Sequence, residues 1–424
     1  MCIEIRKKFI ISLLCAFIFI ILLACSGKNT SRVYENENVK ELPIIKIDRP
    51  NVKKLPYLKL SELATDIRYI KLETRKDVLL EDGSVLYLDK SKLMLVRANY
   101  QLWLFNTDGK FNRKIGRIGR GPNEFILDEI AVDVETEIIY IYPLYQSQIL
   151  KFDFQGNSLG QIKNYEVGLP AKMVFMDDQL ILINGISPYL KKEKGGFMEL
   201  YSFNPDSNKI NYYLPNYWDV EHRKNMPSFE MNGQEQFSVV NNKVGYYKMR
   251  YCDTLYKVSN NKIDPFLIFD MGKYKYSIEN SQLPPNKWPG ELLEYKILLE
   301  YMMATNNHLF FSYSYFRSDN MQDIEGFLCV LDLKTNKISY YNSIMINDIN
   351  GGPNVFPRDL SGSGMLLPVN FKGRNDEIEK NYFLNHEDLV LKFPERKNEF
   401  NNIMAETKID DNPIVQIIEL RDDY

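Results

Sequence analysis

Short runs of apolar and β-branched residues, each ending in an Asn, Asp or Gly turn, recur along most of this chain. Such turns occur in FNTDGK from Phe105, FDFQGN from Phe152, FNPDSNK from Phe203, VSNNK from Val258 and LDLKTNK from Leu331. Apolar runs on both sides of a turn of this kind predict a β-hairpin. The turns start 47, 51, 55 and 73 residues apart, which indicates repeated four-stranded units, the last one carrying insertions.

The second unit shows this organisation most clearly. The segments ILDEIAVD, EIIYIYP and SQILKFDF are three successive predicted strands, and a fourth follows Gly156. A loop with Gly116, Gly119 and Gly121 precedes them and requires unusual backbone angles. Glycine loops that bind phosphate lead into a helix, whereas this one leads into a strand. We therefore interpret it as a connection between units.

The two ends of the chain supply the remaining unit, which has no hairpin turn of its own. IRYIKLET, from Ile67, and IVQIIELR, from Ile414, are both apolar and β-branched. We expect them to pair within one sheet, because joining the chain ends removes open sheet edges. Two other segments, Trp288–Met302 and Asn375–Lys408, have apolar residues at helical spacing and predict helical insertions, the second interrupted by Pro394.

The glycine loop and the strand after it resemble one blade of an NHL-type repeat. More broadly, the chain resembles the six-bladed β-propeller lipoproteins of Gram-negative envelopes, and the resemblance covers residues 43–424. It implies an all-β fold: a six-bladed β-propeller with short helical insertions, its ring closed by the N- and C-terminal strands in one blade. Propellers offer a rigid face of several loops, which is a common setting for binding.

The first residues read as an export signal, predicted over residues 1–24. Arg6, Lys7 and Lys8 precede the apolar run Phe9–Leu23. Leu22-Leu23-Ala24-Cys25 is similar to a bacterial lipobox, which implies that Cys25 is lipidated and that residues 25–42 are a flexible tether. An uncleaved anchor helix is the alternative. Ser26 favours the outer membrane, with the periplasmic side slightly preferred over the cell surface.

Composition narrows the classes of function. The chain is 45% hydrophobic and 13% aromatic, and its net charge of −3 gives no cationic field for nucleic acid. The three histidines are scattered, and no metal or nucleophile motif is present, so we expect no cofactor and no metal. Cys252 and Cys329 remain after the first 25 residues; whether they pair is open.

Candidate binding residues come from the loops that follow second strands and from those between units, which meet at one face of an antiparallel meander. These loops are rich in arginine and tyrosine, which suit acidic ligands. The predicted site comprises Arg117, Arg120, Arg250, Tyr251, Tyr315 and Arg317, and the same loops carry Arg97, Tyr100, Tyr145, Tyr189, Lys372 and Arg374. Each could equally be an ordinary surface side chain.

The sequence therefore predicts an envelope-anchored, non-catalytic propeller that binds a ligand or a protein. The expected partner is an acidic glycan, a peptide or an envelope protein. The alternative is a hydrolase or lyase acting on glycan or peptide in the cell envelope. Paired carboxylates do not decide between them, because the chain has 56 acidic residues.

Overall fold

The chain folds into small antiparallel sheets that follow one another along the sequence. A computed structural model describes residues 41–80, 83–88, 94–121, 123–144, 146, 148–163, 170–184, 198–207, 209–215, 236–240, 242–249, 251–260, 262–277, 295–317, 324–355, 366–371, 389–408 and 410–421. Residues Leu42–Tyr424 belong to one compact unit.

The described strands, in chain order, begin with β1 Ile44–Lys46, β2 Leu58–Lys59, β3 Ala64–Lys71, β4 Ser84–Leu88, β5 Met94–Ala98, β6 Gln101–Phe105, β7 Phe111–Ile115, β8 Leu127–Asp133, β9 Ile138–Pro143, β10 Gln148–Asp153, β11 Ser158–Lys163, β12 Pro170–Met176 and β13 Gln179–Asn184. They continue with β14 Met198–Asn204, β15 Lys209–Pro215, β16 Gln236–Val240, β17 Val244–Lys248, β18 Thr254–Ser259, β19 Lys262–Asp270, β20 Leu298–Ala304, β21 His308–Phe316, β22 Ile324–Asp332, β23 Ile338–Asn342, β24 Met345–Ile346, β25 Leu366–Phe371 and β26 Ile414–Leu420. The described α-helices are α1 Leu60–Leu63 and α2 Glu399–Ala405, and 3₁₀ turns occupy Val52–Lys54, Gly272–Tyr274 and Pro394–Arg396.

Five sheets repeat the same four-stranded meander. Sheet 1 contains β4–β7, sheet 2 β8–β11, sheet 3 β12–β15, sheet 4 β16–β19 and sheet 5 β20–β23. Each of the five turns predicted from the sequence joins the third strand of a sheet to the fourth, which confirms those hairpins. Sheet 6 has three strands, in the order β25-β26-β3. The first strands of neighbouring sheets lie against each other, as in β8 with β12 and β4 with β25, so we call them the innermost strands.

Burial along the strands explains their sequences. Middle strands such as β6, QLWLF, are buried on both faces, because a neighbouring sheet covers each face. Fourth strands are less buried: β11, SLGQIK, buries only Ile162, β7 buries only Ile115, and β23 buries none of its residues. Polar outer strands of this kind protect a sheet edge from pairing with other chains.

Six apolar clusters lie between successive sheets in the described part of the chain. Each joins residues of two sheets, represented by Leu95 and Ile141 for sheets 1 and 2, Tyr140 and Tyr201 for 2 and 3, Ile181 and Tyr247 for 3 and 4, Phe269 and Phe311 for 4 and 5, Phe310 and Ile418 for 5 and 6, and Trp103 and Ile417 for 6 and 1. Burial of these side chains is the main stabilising contribution to a fold built from narrow sheets. The overall architecture is mostly β and propeller-like.

The two chain ends pair within sheet 6. Strand β3 runs antiparallel to β26, with Ile67 opposite Ile418 and Ile70 opposite Val415. These four side chains are buried. The segments IRYIKLET and IVQIIELR therefore meet, as their apolar patterns predict.

An N-terminal arm, residues 42–63, reaches this position by crossing two other sheets. Strand β1 adds to the edge of sheet 4, parallel to β19. The Asp48 N–H donates to the Tyr340 hydroxyl of sheet 5 over 2.9 Å, and the Asn342 N–H donates to the Pro56 carbonyl over 2.9 Å. Strand β2 then pairs with β24, and Leu60 and Leu63 of α1 are buried. The arm therefore contacts sheets 4 and 5 before the chain enters sheet 6.

Three expectations from the sequence are corrected or completed by the structure. The helical prediction for Trp288–Met302 is wrong over its last part, because Leu298–Met302 lies in β20; burial of Leu298, Leu299 and Met302 between sheets overrides the helical spacing. In the segment Asn375–Lys408, the described helix is α2, preceded by the turn at Pro394–Arg396. Cys252 and Cys329 are both free thiols, so they do not form a disulfide.

Replacing Ile418 tests how much the pairing of the chain ends contributes. Ile418 is 1% exposed, so Ile418→Ala leaves a cavity and should lower the free energy of unfolding by about 2–5 kcal/mol. The matched control is Ile44→Ala on strand β1, where the side chain is 66% exposed and we expect a change within about 0.5 kcal/mol. Urea unfolding followed by circular dichroism measures both. An equal loss of stability in Ile418→Ala and Ile44→Ala would contradict a special contribution from the pairing of the chain ends.

Candidate functional site

The site lies at the end of the sheets where the innermost strands begin. In an antiparallel meander, the second strand returns to the end where the first began. The turns after second strands and the connections between sheets therefore share that end, which we call the loop face. Among the candidate residues that the structure describes, those that lie in or beside these turns and connections are Arg97, Tyr100, Arg117, Arg120, Tyr251, Tyr315 and Arg317.

The innermost strands of four sheets are interrupted by a β-bulge close to the loop face. Their register shifts fall between Val85 and Tyr87, between Leu127 and Glu129, between Pro170 and Lys172, and between Leu299 and Tyr301. A bulge re-aims side chains and is frequent beside binding sites. Asp128, Glu129, Lys172 and Glu300 all stand at these bulges, so the same irregularity presents charged groups on three sheets.

Side chains at the loop face connect sheet 1 to sheet 2 and sheet 2 to sheet 3. The Arg97 guanidinium, at the end of β5, donates from Nη1 to the Asp128 carbonyl over 3.2 Å. The Glu129 carboxylate accepts a hydrogen bond from the Met173 backbone N–H. Both contacts join a charged side chain to the backbone of the next sheet, so they fix the side chain and the sheet together.

The same arrangement continues to sheets 4 and 5. Lys172 Nζ donates to the Phe237 carbonyl of β16 over 2.8 Å. Gln236 Nε2 donates to the Glu300 carbonyl of β20 over 2.9 Å. We call Arg97, Glu129, Lys172 and Gln236 the latch residues. They bring together residues that are far apart in the sequence, and they hold charges of both signs at one end of the innermost strands.

Burial raises the pKa of two neighbouring carboxyl groups at the loop face, Glu129 of the latch and Asp128 beside it. Burial raises the pKa of Glu129 to about 7, an effect partly offset by the positive charges of Lys172 and Arg97. Burial also raises the pKa of Asp128, against the opposing influence of Arg97. A carboxyl with a pKa near 7 can give or take a proton at neutral pH.

The glycine loop between sheets 1 and 2 has a fixed shape. The Glu124 carboxylate accepts from the Gly121 N–H over 2.9 Å and lies against Gly119, where a Cβ would meet it at 2.0 Å. Gly116 has φ +65°, and a Cβ there would meet the buried ring of Phe125 at 2.3 Å. Glycine is therefore needed at Gly116 and at Gly119.

Two of the predicted site residues, Arg117 and Arg120, lie on this loop, and both are exposed. The Phe125 N–H donates to the Arg117 carbonyl over 2.8 Å, so the backbone of Arg117 is tied to the root of the loop. The structure thus places two exposed guanidinium groups on a rigid support at the loop face.

Tyr315 and Arg317 are brought together by a shared carboxylate. Arg317 Nη2 lies 2.6 Å from Glu325 Oε1, and the buried Tyr315 hydroxyl donates to Glu325 Oε2. Burial and this hydrogen bond raise the pKa of Tyr315 to about 12, so its ring is a neutral phenol at physiological pH. Arg317 therefore already has an acidic partner within the chain, while its side chain stays 45% exposed.

Tyr251 contributes to the interior of the loop face. It is buried, and its ring centre lies 5.4 Å from that of Tyr276. Beside it, burial lowers the pKa of the Lys248 amine to about 8. Arg250, which the sequence also predicts, lies outside the described residues, as do Tyr145, Tyr189, Lys372 and Arg374.

Sequence reasoning identified Arg97 but missed the other latch residues. A signal was present, because Glu129, Lys172 and Glu300 are each the third residue of an innermost strand. A charge at the same position of three apolar strands indicates a shared environment. Recognising it requires the strand boundaries, which the turns alone do not define.

Some kinds of site are absent from the described ranges. There, no three His, Cys, Asp or Glu side chains are grouped in a way that could hold a metal ion. Nor does any helix in this part of the molecule have both the length and the apolar character needed to cross a membrane.

The fold and site define a class: a propeller-like all-β protein with charged residues on bulged innermost strands. The chain belongs to the family described as Domain of unknown function (DUF4934), whose model matches residues 42–419. A comparison with curated proteins finds no match.

Solved structures that resemble this chain include two Bacteroides proteins. A Bacteroides fragilis NCTC 9343 protein, named as a candidate exported protein, is 16% identical with a TM-score of 0.60, covering 89% of this chain and 99% of that one. A member of the duf4221 family from Bacteroides vulgatus ATCC 8482 is 12% identical with a TM-score of 0.47, covering 85% and 98%. At this identity, the first likeness shows a shared fold alone.

The raised pKa of Glu129 predicts a pH-dependent stability. Between its ordinary value of 4.5 and about 7, the unfolded chain ionises Glu129 while the folded chain keeps it protonated. This group therefore lowers stability as pH rises through that window, with no further effect above it. We expect Glu129→Gln to raise the Tm relative to wild type progressively from pH 4.5 to 7, and Glu135→Gln, in an exposed turn, to show no such trend. A Glu129→Gln difference that does not vary with pH would be inconsistent with the raised pKa.

Proposed function

We propose that the six sheets are the blades of a closed six-bladed propeller. The six apolar clusters between successive sheets support a ring, since the last of them connects sheet 6 to sheet 1. Pairing of β3 with β26 then closes the ring with both chain ends in one blade. The blade sequences resemble NHL-type repeats.

We also propose that the chain is an exported lipoprotein. The lipobox-like segment Leu22-Leu23-Ala24-Cys25 supports lipidation at Cys25, and the likeness to a candidate exported protein of Bacteroides fragilis is consistent with a position outside the cytoplasm. Residues 25–42 would tether the propeller to the outer membrane. The periplasmic side is slightly preferred, because Ser26 follows the cysteine and no acidic cluster comes directly after it.

The proposed function is non-catalytic binding of a ligand or protein at the loop face. The observation that carries it is the glycine loop, which holds the exposed Arg117 and Arg120 on a rigid backbone. A fixed loop loses little conformational freedom on binding, so little of the free energy of its contacts is spent on ordering the loop. The latch residues support the same face from beneath, because they fasten neighbouring sheets at this end.

The chemistry of the loop face favours an acidic partner. A guanidinium pairs with a carboxylate through two parallel hydrogen bonds, and neighbouring cations attract anions over longer distances. Arg117 and Arg120 are exposed for such pairing, and Arg317 is partly exposed beside Glu325. An acidic glycan, a peptide carboxylate or an acidic envelope protein all satisfy this requirement.

A hydrolase or lyase acting on glycan or peptide is the alternative function. One observation favours it: Glu129 has a pKa raised to about 7 and interacts electrostatically with Lys172 and Arg97. Such a group can act as a general acid or base. Turnover of an envelope glycan or peptide, abolished by Glu129→Gln while binding persists, would favour this alternative.

Removing the two exposed arginines tests acidic binding. We expect Arg117→Ala/Arg120→Ala to bind oligogalacturonate at least about tenfold more weakly than wild type, because each charge-assisted hydrogen bond contributes about 1.5–3 kcal/mol. The salt dependence of the residual binding should also be smaller. Isothermal titration calorimetry over a range of ionic strength measures both quantities.

The control is Lys110→Ala/Lys334→Ala, which removes the same charge from exposed hairpin turns between third and fourth strands, at the opposite end of the sheets. This variant should bind like wild type. If both double variants lose affinity equally, net charge rather than the loop face is responsible. If neither does, Arg117 and Arg120 are not the binding residues.

Lipidation is tested at the predicted cysteine. Cys25→Ala should abolish incorporation of radioactive palmitate and release the chain from membrane fractions, because the acyl chains provide the anchor. Cys2→Ala and Cys15→Ala, which alter cysteines within the predicted signal peptide, should keep the label. Palmitate labelling that persists in Cys25→Ala would rule out this lipidation site.

A further inference from the structure

The guanidinium of Arg49 sits among three tyrosine rings at the junction of sheets 4 and 5. Its Cζ lies 3.4 Å from the ring centre of Tyr274 and 5.2 Å from those of Tyr295 and Tyr315. A cation within about 6 Å of a ring centre is attracted by the negative face of the ring. Three rings from different segments therefore surround one cation, and we call Tyr274, Tyr295 and Tyr315 the tyrosine cage.

The cage is built from three segments that meet at the loop face. Tyr274 ends the 3₁₀ turn after β19, Tyr295 precedes β20, and Tyr315 belongs to β21. The Tyr295 N–H donates to the Phe316 carbonyl over 2.7 Å, and the Tyr315 hydroxyl donates to Glu325. Donation to a carboxylate makes the Tyr315 ring more electron-rich, which strengthens its attraction for a cation.

The cation that fills the cage comes from the N-terminal arm. Arg49 follows β1, a three-residue strand on the outer edge of sheet 4, where Ile44 is largely exposed. Asp48 is held by Tyr313, whose hydroxyl donates to its carbonyl, and by Tyr340. Arg49 itself is only half-buried. The Arg49 side chain thus enters the cage from a partly exposed position, whereas the neighbouring Ile45 and Ile47 are buried in the apolar cluster between sheets 4 and 5.

The positive charges around the cage disfavour a second guanidinium beside Arg49. Lys273 Nζ lies 5.2 Å from the same Tyr274 ring, and Arg317 pairs with the carboxylate that Tyr315 contacts. A second cation entering beside Arg49 would be repelled by these groups. An external cation therefore has to replace Arg49.

We propose that the tyrosine cage is a recognition site for an arginine side chain of a partner peptide, and that Arg49 occupies it as an internal substitute. The chain's own guanidinium shows which chemistry the cage accepts. When the partner's arginine enters, the Arg49 side chain leaves the cage, while the buried Ile45 and Ile47 keep β1 on sheet 4. The site is distinct from Arg117 and Arg120, so it does not depend on binding of an acidic ligand.

Emptying the cage of Arg49 tests this proposal. The probe is N-acetyl-argininamide, titrated into full-length protein and followed by saturation-transfer difference NMR. Arg49→Ala should bind it at least about fivefold more tightly than wild type, because the internal competitor is gone. N-acetyl-citrullinamide, a neutral molecule of nearly the same shape, should gain nothing.

Two further variants separate recognition from a structural effect. Tyr274→Leu in the Arg49→Ala background should lose the gain, because the closest ring is removed. Arg49→Gln repeats the test with a longer polar side chain and serves where Arg49→Ala fails to fold by circular dichroism. If wild type and the Arg49 variants bind the arginine probe equally, or if none binds it, the cage is only a clamp for the arm and the proposal is wrong.

Discussion

The pairing of β3 with β26 is the interaction on which the rest of the structure depends. It brings residues from the two ends of the chain into register, with Ile67 opposite Ile418. The arm before β3 passes sheets 4 and 5 on its way to sheet 6, and there it contributes β1 and the contacts of Asp48. Sheet 6 is completed only when β26 is present, and contacts of such long sequence separation form late and slowly in folding. This course of the arm places Arg49 at the junction of sheets 4 and 5.

The latch residues serve two purposes in this molecule: they join neighbouring sheets, and they contribute groups to the candidate site. Glu129 and Lys172 each bond to the backbone of the following sheet, so a charged group is held where sheet 2 meets sheet 3 and where sheet 3 meets sheet 4. Each contact keeps a charged group in place without removing its ability to react. Glu129, for example, has a pKa raised to about 7 and can still exchange a proton. Groups held in this way need little reorganisation when a ligand binds. Rigidity at the loop face is thus a consequence of how narrow sheets are joined.

The sequence predicts the repeated hairpins well and the site only in part. Asn, Asp and Gly turns are local signals, since each acts through the backbone of a few residues, and all five identify real hairpins. Leu298–Met302 misleads because helical spacing and burial between two sheets produce similar apolar patterns. Glu129 and Lys172 escape notice because their meeting depends on a bulge and on packing between sheets. Tyr251 and Tyr315 were identified by residue type, yet burial of their rings is set by neighbours distant in sequence.

The sequence Gly-Pro-Asn occurs in two loops. One loop has its polar side chains buried in a hydrogen-bond network, and the other has exposed side chains. Gly121-Pro122-Asn123 and Gly352-Pro353-Asn354 both precede innermost strands, of sheets 2 and 6. Around the second copy, amides are buried: Asn347 Nδ2 donates to the Tyr69 hydroxyl over 3.3 Å, and that hydroxyl donates to Asn350 over 3.0 Å. This network ties the loop to β3, so its polar groups are used within the fold. In the loop that contains the first copy, the Glu124 carboxylate accepts from the Gly121 N–H, and Arg117 and Arg120 remain exposed. Since buried polar groups must be satisfied internally whereas exposed charges need not be, the first loop is the one whose side chains are available to a partner.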